Sequence, residues 1–450
     1  MTTTVTQKLS GFNNFPRAQC QVERPSRYRD LAPHDKSIIV RGNGRSYGDA
    51  ALNENGTVLS TVALNRILAF DREQGVITAE AGILLDNILP VIMPAGWFLP
   101  VTPGTRYVTL GGCVATDVHG KNHHRQGSIA NYIKWIELIT ADNTRLVLSP
   151  SQSPDLFWAT IGGMGLTGII GTVCLQLQAI SSAYMIVKHY EASSLEKVIA
   201  YLNDSQIDDQ YSVAWLDLLA KNEHCGRGIV MTAHHAATDE LPTQLSIKAL
   251  DCSTKKSPIQ LPLFIAKHFL RRKIMTVFNN WYYKKQAAKQ LPHPITYNDY
   301  FYPLDKIMHW NKLYGQQGFI QYQCVIPDHH AHQAIKTILN ALSTNAYPVY
   351  LAVLKRFGDE NLGLLSFPTK GFTLALDIPI LNQQLFTFLD ELDDIVIQHQ
   401  GRIYLAKDAR LSPSRFRIMY PRFEEWRSIK KKFDPNGIFN SKLSQRLDMI

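Results

Sequence analysis

Three glycine clusters crowded into residues 41–171 restrict what this chain can fold into more than any other feature. The first, Arg41-Gly-Asn-Gly-Arg-Ser-Tyr-Gly48, directly follows the apolar run Ser37–Val40. The second joins Pro103-Gly-Thr-Arg106 to Leu110-Gly-Gly-Cys-Val-Ala-Thr-Asp-Val-His-Gly-Lys-Asn-His-His124. The third, Phe157-Trp-Ala-Thr-Ile-Gly-Gly-Met-Gly-Leu-Thr-Gly-Ile-Ile-Gly171, has five glycines in its last ten residues. Without a Cβ, the backbone can approach a ligand closely and turn neighbouring N–H groups onto a phosphate. One such cluster is more often a plain turn. Three in order suggest a single extended, planar, phosphate-bearing cofactor.

The alternatives are weaker. GxGxxG of the dinucleotide-binding kind would open a helix and be followed by an acid about 20 residues on, and a P-loop needs Gly-Lys-Ser/Thr. The first cluster has neither. His119 and His123 are four apart, but Gly120 stands where HExxH has glutamate and no third ligand is suggested. No metal is expected.

Around the clusters, Ser37–Val40, Val58–Ser60, Val76–Ala79 and Val173–Leu177 read as strands. Leu84–Met93 has helical spacing and stops at Pro94–Gly96. Trp135–Thr140 and Arg145–Leu148 flank the turn pair Asp142–Asn143, a hairpin signal. Beyond residue 180, Leu195–Leu202 and Leu381–His399 read as helices. Val213–Leu218, Ile229–Thr232, Phe319–Val325, Val349–Arg356 and Phe372–Ile378 read as strands of one open sheet. The class is α+β.

Charge is localised. The 450 residues carry a formal +9, and the window between Asp251 and Asp299 holds nine bases and no acid. That is a local patch and not a nucleic-acid-binding surface. Within it Leu270, Ile274, Val277, Phe278 and Trp281 repeat at helical spacing. Two readings stay open: a helix packing that stripe on the domain, or one meeting anionic lipid head groups. No apolar run reaches the roughly 18 residues that span a bilayer, and residues 1–10 lack a signal-peptide core. The six cysteines show no paired spacing, so reduced thiols are expected. The expected location is cytoplasmic, with a peripheral contact at the inner membrane if the second reading of the stripe holds.

The motifs RGNGRSYGDAALN, PGT, GGCVATDVHGKNHH and LFWATIGGMGLTGII resemble the FAD-binding (PCMH-type) domain of vanillyl-alcohol-oxidase flavoproteins. Within these the chain is most similar to the decaprenylphosphoryl-ribose 2′-oxidase family, through YSVAWLD, YPLD, QYQ, GRIYLAKDAR and MYPR. The resemblance covers nearly everything except the first 30 residues and the basic insert. It implies a two-domain flavoprotein: an FAD-binding domain at 1–180, and a substrate domain at 181–400 built on an antiparallel sheet with flanking helices. The substrate domain would carry a basic insert at 255–290, and residues 401–450 would return to the FAD domain.

The resemblance also implies site residues. Arg41, Gly42, Asn43, Gly44, Arg45, Ser46, Tyr47, Asn53, Pro103, Gly104 and Thr105 would hold the phosphate side of FAD. Thr109, Leu110, Gly111, Gly112, Thr116, Asp117, Val118, His119, Gly120, Ile170, Tyr404 and Lys407 would line the flavin. Related oxidases tether the flavin through a histidine in the first motif; Arg45 stands there, so non-covalent FAD is expected. Lys407, in AKD, would be the cation beside flavin and sugar, with His119 as base or sugar-orienting group and Lys121 beside it. Gln321, Gln323, Lys355, Trp215, Phe301, Thr373 and Ala375 would form the substrate pocket. The last three depart from the tyrosine, asparagine and cysteine of the mycobacterial pattern at Phe301, Thr373 and Ala375 respectively. Implied partners are a polyprenyl-phosphate sugar, oxidised to a keto form, and a short-chain reductase that completes an epimerisation. A soluble alditol or aldonolactone oxidase is the alternative, and a flavin-binding module without catalysis a third reading.

Overall fold

The computed structural model describes residues 4–33, 37–204, 206–207, 209–220, 225–251, 270–345 and 347–450. Two sheets build its N-terminal part. In the first, a hairpin of β1 (Thr4–Ser10) and β2 (Arg17–Glu23) continues into β4 (Thr57–Ser60) and β3 (Ile38–Arg41), in the order β1-β2-β4-β3. The β2–β4 and β3–β4 pairs are parallel. Ile38, Ile39 and Val58 are fully buried, which is why this apolar run sits inside and delivers the first glycine cluster at its end.

The second sheet is antiparallel, in the order β5-β6-β10-β8-β9, from β5 (Ile67–Asp71), β6 (Val76–Glu80), β8 (Ile133–Ile139), β9 (Arg145–Leu148) and β10 (Ile169–Gln176). The expected hairpin turn is present: Asn143 has φ 65°, and Asp142 Oδ1 accepts from Thr144 N at 3.1 Å. Two-residue strands β7 (Trp97–Phe98) and β11 (Gln178–Ala179) pair separately.

The third sheet has eight strands: β12 (Tyr184–Ala192), β13 (Tyr211–Asp217), β14 (Arg227–His235), β15 (His293–Thr296), β16 (Phe319–Pro327), β17 (Leu351–Phe357), β18 (Gly371–Pro379) and β19 (Arg402–Ile403). Their order is β15-β12-β14-β13-β17-β18-β16-β19, with every pair antiparallel. Helices Leu195–Asn203, Asp328–Thr344 and Gln384–Gln398 cover one face. Alternation along β16 decides what each face receives: Ile320, Tyr322, Cys324 and Ile326 enter that core, and Gln321 and Gln323 point the other way.

The chain end returns to the start. Ile38 bridges Phe439 in parallel, adding the C-terminal segment to the free edge of β3. Arg446 holds both Asp49 and Asp408 at 2.8–2.9 Å. Buried Lys430 reaches Leu166 O, Phe439 O and Asp434 Oδ2, pinning the third glycine cluster to helix Phe423–Phe433.

Residues 252–269, which include Lys255, Lys256 and Lys267 of the expected insert, lie outside the described residues, as does Cys252. The apolar stripe of helix Arg272–Ala287 is not packed away: Val277 is 69 % and Trp281 53 % exposed. Among the described residues no helix is long and apolar enough to cross a membrane, and the cysteines are unpaired.

Candidate active site

A cavity of about 900 Å³ lies between the glycine clusters and the uncovered face of the eight-stranded sheet. All three clusters reach its wall, through Gly42–Tyr47, Pro103–Thr105 with Thr109, Gly111 and Gly112, and Met164–Gly165 with Gly168. Thr109 caps the short helix Leu110–Ala115, its Oγ1 accepting from Gly112 N. A Cβ on Gly42 would collide with that same Oγ1, so glycine is what allows the two loops to meet. At Gly111 a Cβ would come within 2.7 Å of Ala81 Cβ, whereas Gly104 faces open space. Arg45 stacks between Phe12 and Tyr107 at 4.8 and 5.3 Å, with Nε buried and unpartnered. Narrow, glycine-walled, and holding an unsatisfied guanidinium N–H, this half fits an elongated planar cofactor carrying phosphates.

The other half is polar at its floor. Lys407 Nζ sits 3.7 Å from the Tyr47 ring centre. Its neighbour Asp408 belongs to the Arg446 network, so no Lys407–Asp408 pair competes for it. Tyr404 OH donates to Thr116 O at 2.8 Å, and Tyr404 N to Gln323 O at 2.9 Å. That places the C-terminal segment across both domains' walls. Gln323 Nε2 donates to His119 Nε2 at 3.1 Å and to Thr373 Oγ1 at 3.2 Å. The His119 lone pair is thereby engaged, leaving the proton on Nδ1, which is buried without a partner. Lys121 Nζ donates to Tyr300 O at 2.5 Å over the Tyr300 ring.

Three half-buried lysines therefore share one cavity, and desolvation pushes all of them down. Lys121 falls to about 7, Lys355 to about 8 and Lys407 to about 7; the Lys355 charge lowers Lys121 and Lys407 further, while Asp377 partly opposes this at Lys407. Burial and the Lys355 charge hold His119 well below the imidazole range. Facing them is a single buried carboxyl on the cavity wall, Asp377, which burial raises to about 7. Its Oδ1 accepts from Gln321 Nε2 at 2.7 Å and its Oδ2 has no partner.

Of the expected residues, most line this cavity, including Ser46, Val118, Gly120, Ile170, Phe301 and Ala375. Five do not. Arg41 turns away to bond Ser10 O and Ala51 O, bracing the first loop from behind. Asn53 bonds Ser37 Oγ and Thr57 O within the first sheet. Leu110, fully buried, enters the hydrophobic core because the second motif is helical there. Asp117 accepts from Asn361 at 2.6 Å. Thr373 lies beneath Gln323 and donates to Cys324 O, so it positions that amide and touches no cavity space. Lys355 is on β17, separated from β16 by β18, and not its immediate neighbour. Trp215 both lines the cavity and packs on Tyr282. His123 accepts from Gly358 N, and among the described residues no metal-binding group forms. Asp377 was not expected; it shares a strand and a face with Ala375, two residues away, and that period-2 relation is the signal that marks it.

Residues 26–149 match the family model for an FAD binding domain, and residues 289–447 match that for D-arabinono-1,4-lactone oxidase. The chain is 37% identical to decaprenylphosphoryl-beta-D-ribose oxidase of Mycolicibacterium smegmatis, over 92% of this chain and 90% of that protein. It is 24% identical to L-gulonolactone oxidase of Mus musculus over 90% and 88% of the two chains. With L-galactono-1,4-lactone dehydrogenase of Arabidopsis thaliana it shares 26% over 37% of this chain and 27% of that one. The glycine-walled cleft, the lysine-rich floor and a relative at this identity along nearly the whole length lead to one assignment: the chain belongs to the decaprenylphosphoryl-beta-D-ribose oxidase family of FAD-dependent oxidoreductases.

Proposed function

We propose that this enzyme oxidises the 2′-hydroxyl of a polyprenyl-phosphate ribose to the 2′-keto form, with FAD held non-covalently. The observation that carries this reading is the two-part cavity. It offers Lys121, Lys355 and Lys407 against Asp377 and Asp305, the latter already bonded by Arg106 N, which suits an anionic sugar phosphate. Where helix Arg272–Ala287 meets it the wall is apolar, formed by Leu270, Ile274, Met275 and Phe278, which suits a hydrocarbon tail.

FAD, when bound, supplies the two-electron acceptor for the carbinol hydrogen. The residues of this chain do the rest. Asp377 receives the hydroxyl proton on its free Oδ2, with Gln321 fixing its other oxygen. His119, donor through Nδ1 once Gln323 occupies Nε2, orients the sugar. Lys407 places a positive charge that stabilises the negative charge left in the cavity after transfer. The keto product would pass to a short-chain reductase, completing an epimerisation that serves the cell envelope, with the enzyme peripheral at the inner membrane. With Ala375 in place of a thiol, inhibitors that trap a pocket cysteine would not label this enzyme.

A soluble aldonolactone oxidase is the second reading, favoured by the match of residues 289–447. Anaerobic bleaching of the flavin separates them. Polyprenyl-phosphate ribose is expected to bleach it and aldonolactones to leave it yellow; the opposite result selects the second reading. If neither bleaches it, both fail. Acid precipitation is expected to release the flavin into the supernatant; flavin retained in the pellet rejects non-covalent binding.

A further inference from the structure

We propose that helix Arg272–Ala287 docks on an anionic lipid bilayer and that the cavity opens beside it, so that a tail enters the site directly from the bilayer. The docking half stands by itself; the tail half rests on the polyprenyl reading.

The i, i+4 rows of this helix meet different surroundings, with Met275 and Asn279 of the anchoring row also reaching the cavity. Asn279 and Tyr283 anchor the helix: Asn279 Nδ2 donates to Asp217 Oδ1 at 2.8 Å, and Tyr283 OH to Ala192 O at 3.3 Å. Ile274, Phe278 and Tyr282, one residue ahead, line the cavity. Lys273, Val277, Trp281 and Lys285 form the outward row, where Val277 and Trp281 are 69 % and 53 % exposed and the Lys285 ammonium lies 4.7 Å from the Trp281 ring centre. This row sets two large apolar side chains between two lysines and leaves them uncovered by the rest of the protein. At a bilayer interface, tryptophan sits among the head groups while lysines keep their ammonium groups at lipid phosphates.

Charge selects the partner. Between Asp251 and Asp299 there is no carboxylate to repel an anionic surface, and Arg271, Arg272, Lys273, Lys284 and Lys285 are all exposed around the apolar row. The cavity-lining row is about 100° round the helix from the outward row. A chain leaving the cavity past Phe278 therefore emerges at the edge of the docked face.

Flotation of the full-length, FAD-loaded protein with phosphatidylcholine vesicles, with and without phosphatidylglycerol, tests this. The protein is expected to float only with phosphatidylglycerol, and to be released when salt rises from about 0.1 to 1 M, where the Debye length shrinks from about 10 to 3 Å. Val277→Ser/Trp281→Ser and Lys273→Glu/Lys285→Glu are each expected to weaken binding roughly tenfold or more, with an unchanged flavin spectrum. Wild-type protein that stays in solution, or variants that float equally well, would overturn the docking surface. So would flotation of wild type and variants only in the presence of an added protein. For the tail half, the double variants are expected to slow flavin reduction by vesicle-borne polyprenyl substrate and not by a short-tailed analogue in solution; equal slowing of both rejects it. Should no polyprenyl-phosphate sugar reduce the flavin while flotation holds, the function falls and the docking surface stands.

Discussion

Asp377 and Lys407 titrate close together, both near 7, because burial moves a carboxyl up and an ammonium down toward each other. A reaction that needs the carboxylate gains rate as pH rises, and one that needs the ammonium loses rate as pH rises further. A bell-shaped kcat/KM centred near pH 7 is expected. Asp377→Asn should lower flavin reduction about 10²- to 10⁴-fold and abolish the acidic limb; an acidic limb that survives would assign the proton acceptor elsewhere. Lys121 links stability to pH. Its folded value of about 7 lies below the usual lysine value of about 10.4, so above pH 7 the unfolded chain holds a proton that the folded protein has lost. Its contribution to stability thus grows from about pH 7 to 10. Melting temperatures of cofactor-free Lys121→Met should show a shallower rise than wild type across that window. At this scale the sequence was readable where a motif residue's neighbours are fixed by the backbone, as for Gly42 and Lys407. It was not readable where packing decides direction: Arg41 sits in the motif yet points behind it, and Thr373 is one layer too deep.

Among elements, the strands were the most legible. β8, β9 and their turn follow from alternation and Asp142–Asn143, and the run of β10, buried over seven of eight residues, reads as a central strand. Of the elements that escaped, two show the physical reason plainly. The short Leu110–Ala115 helix hides in a Gly-Gly sequence that is poor for helices and depends on the Thr109 cap and Tyr404 packed over its end. The hairpin of β1 and β2 carries few apolar residues of its own and is held by the parallel partner β4, a long-range contact. Helix Phe423–Phe433 offers the test at this level. Lys430 and Asp434, whose side chains are 3 % and 0 % exposed, form its i, i+4 pair. Lys430→Met leaves Asp434 buried without its cation and should destabilise the protein by about 3–5 kcal/mol, and adding Asp434→Leu should recover part of that. Urea midpoints of both variants measure it; a single variant within about 0.5 kcal/mol of wild type would show that the pair does not tie the third glycine cluster down.

For the whole molecule, one hydrophobic core runs from Ala18 and Val58 in the first sheet through Ile335 and Leu385 under the third to Met449 near the end. The expected domain boundaries near 180 and 400 are therefore not boundaries in the core. Ending the chain at residue 434 removes the Ile38–Phe439 bridge and the Arg446 contacts to Asp49 and Asp408. Such a truncation should fail to retain FAD, read as loss of the flavin absorbance after gel filtration, and should melt well below the intact protein.

The walls of the cavity also set an order of events in time. Gly42 and Lys407 both face it, and the whole chain between them must be made before the second can join the first. At about 5–20 residues per second on the ribosome, that interval is roughly 20–70 s. Until it ends the glycine-lined side lacks Tyr404, Ala406 and Lys407. FAD would therefore meet its complete pocket only once residues 404–407 have been made and have joined the first loop.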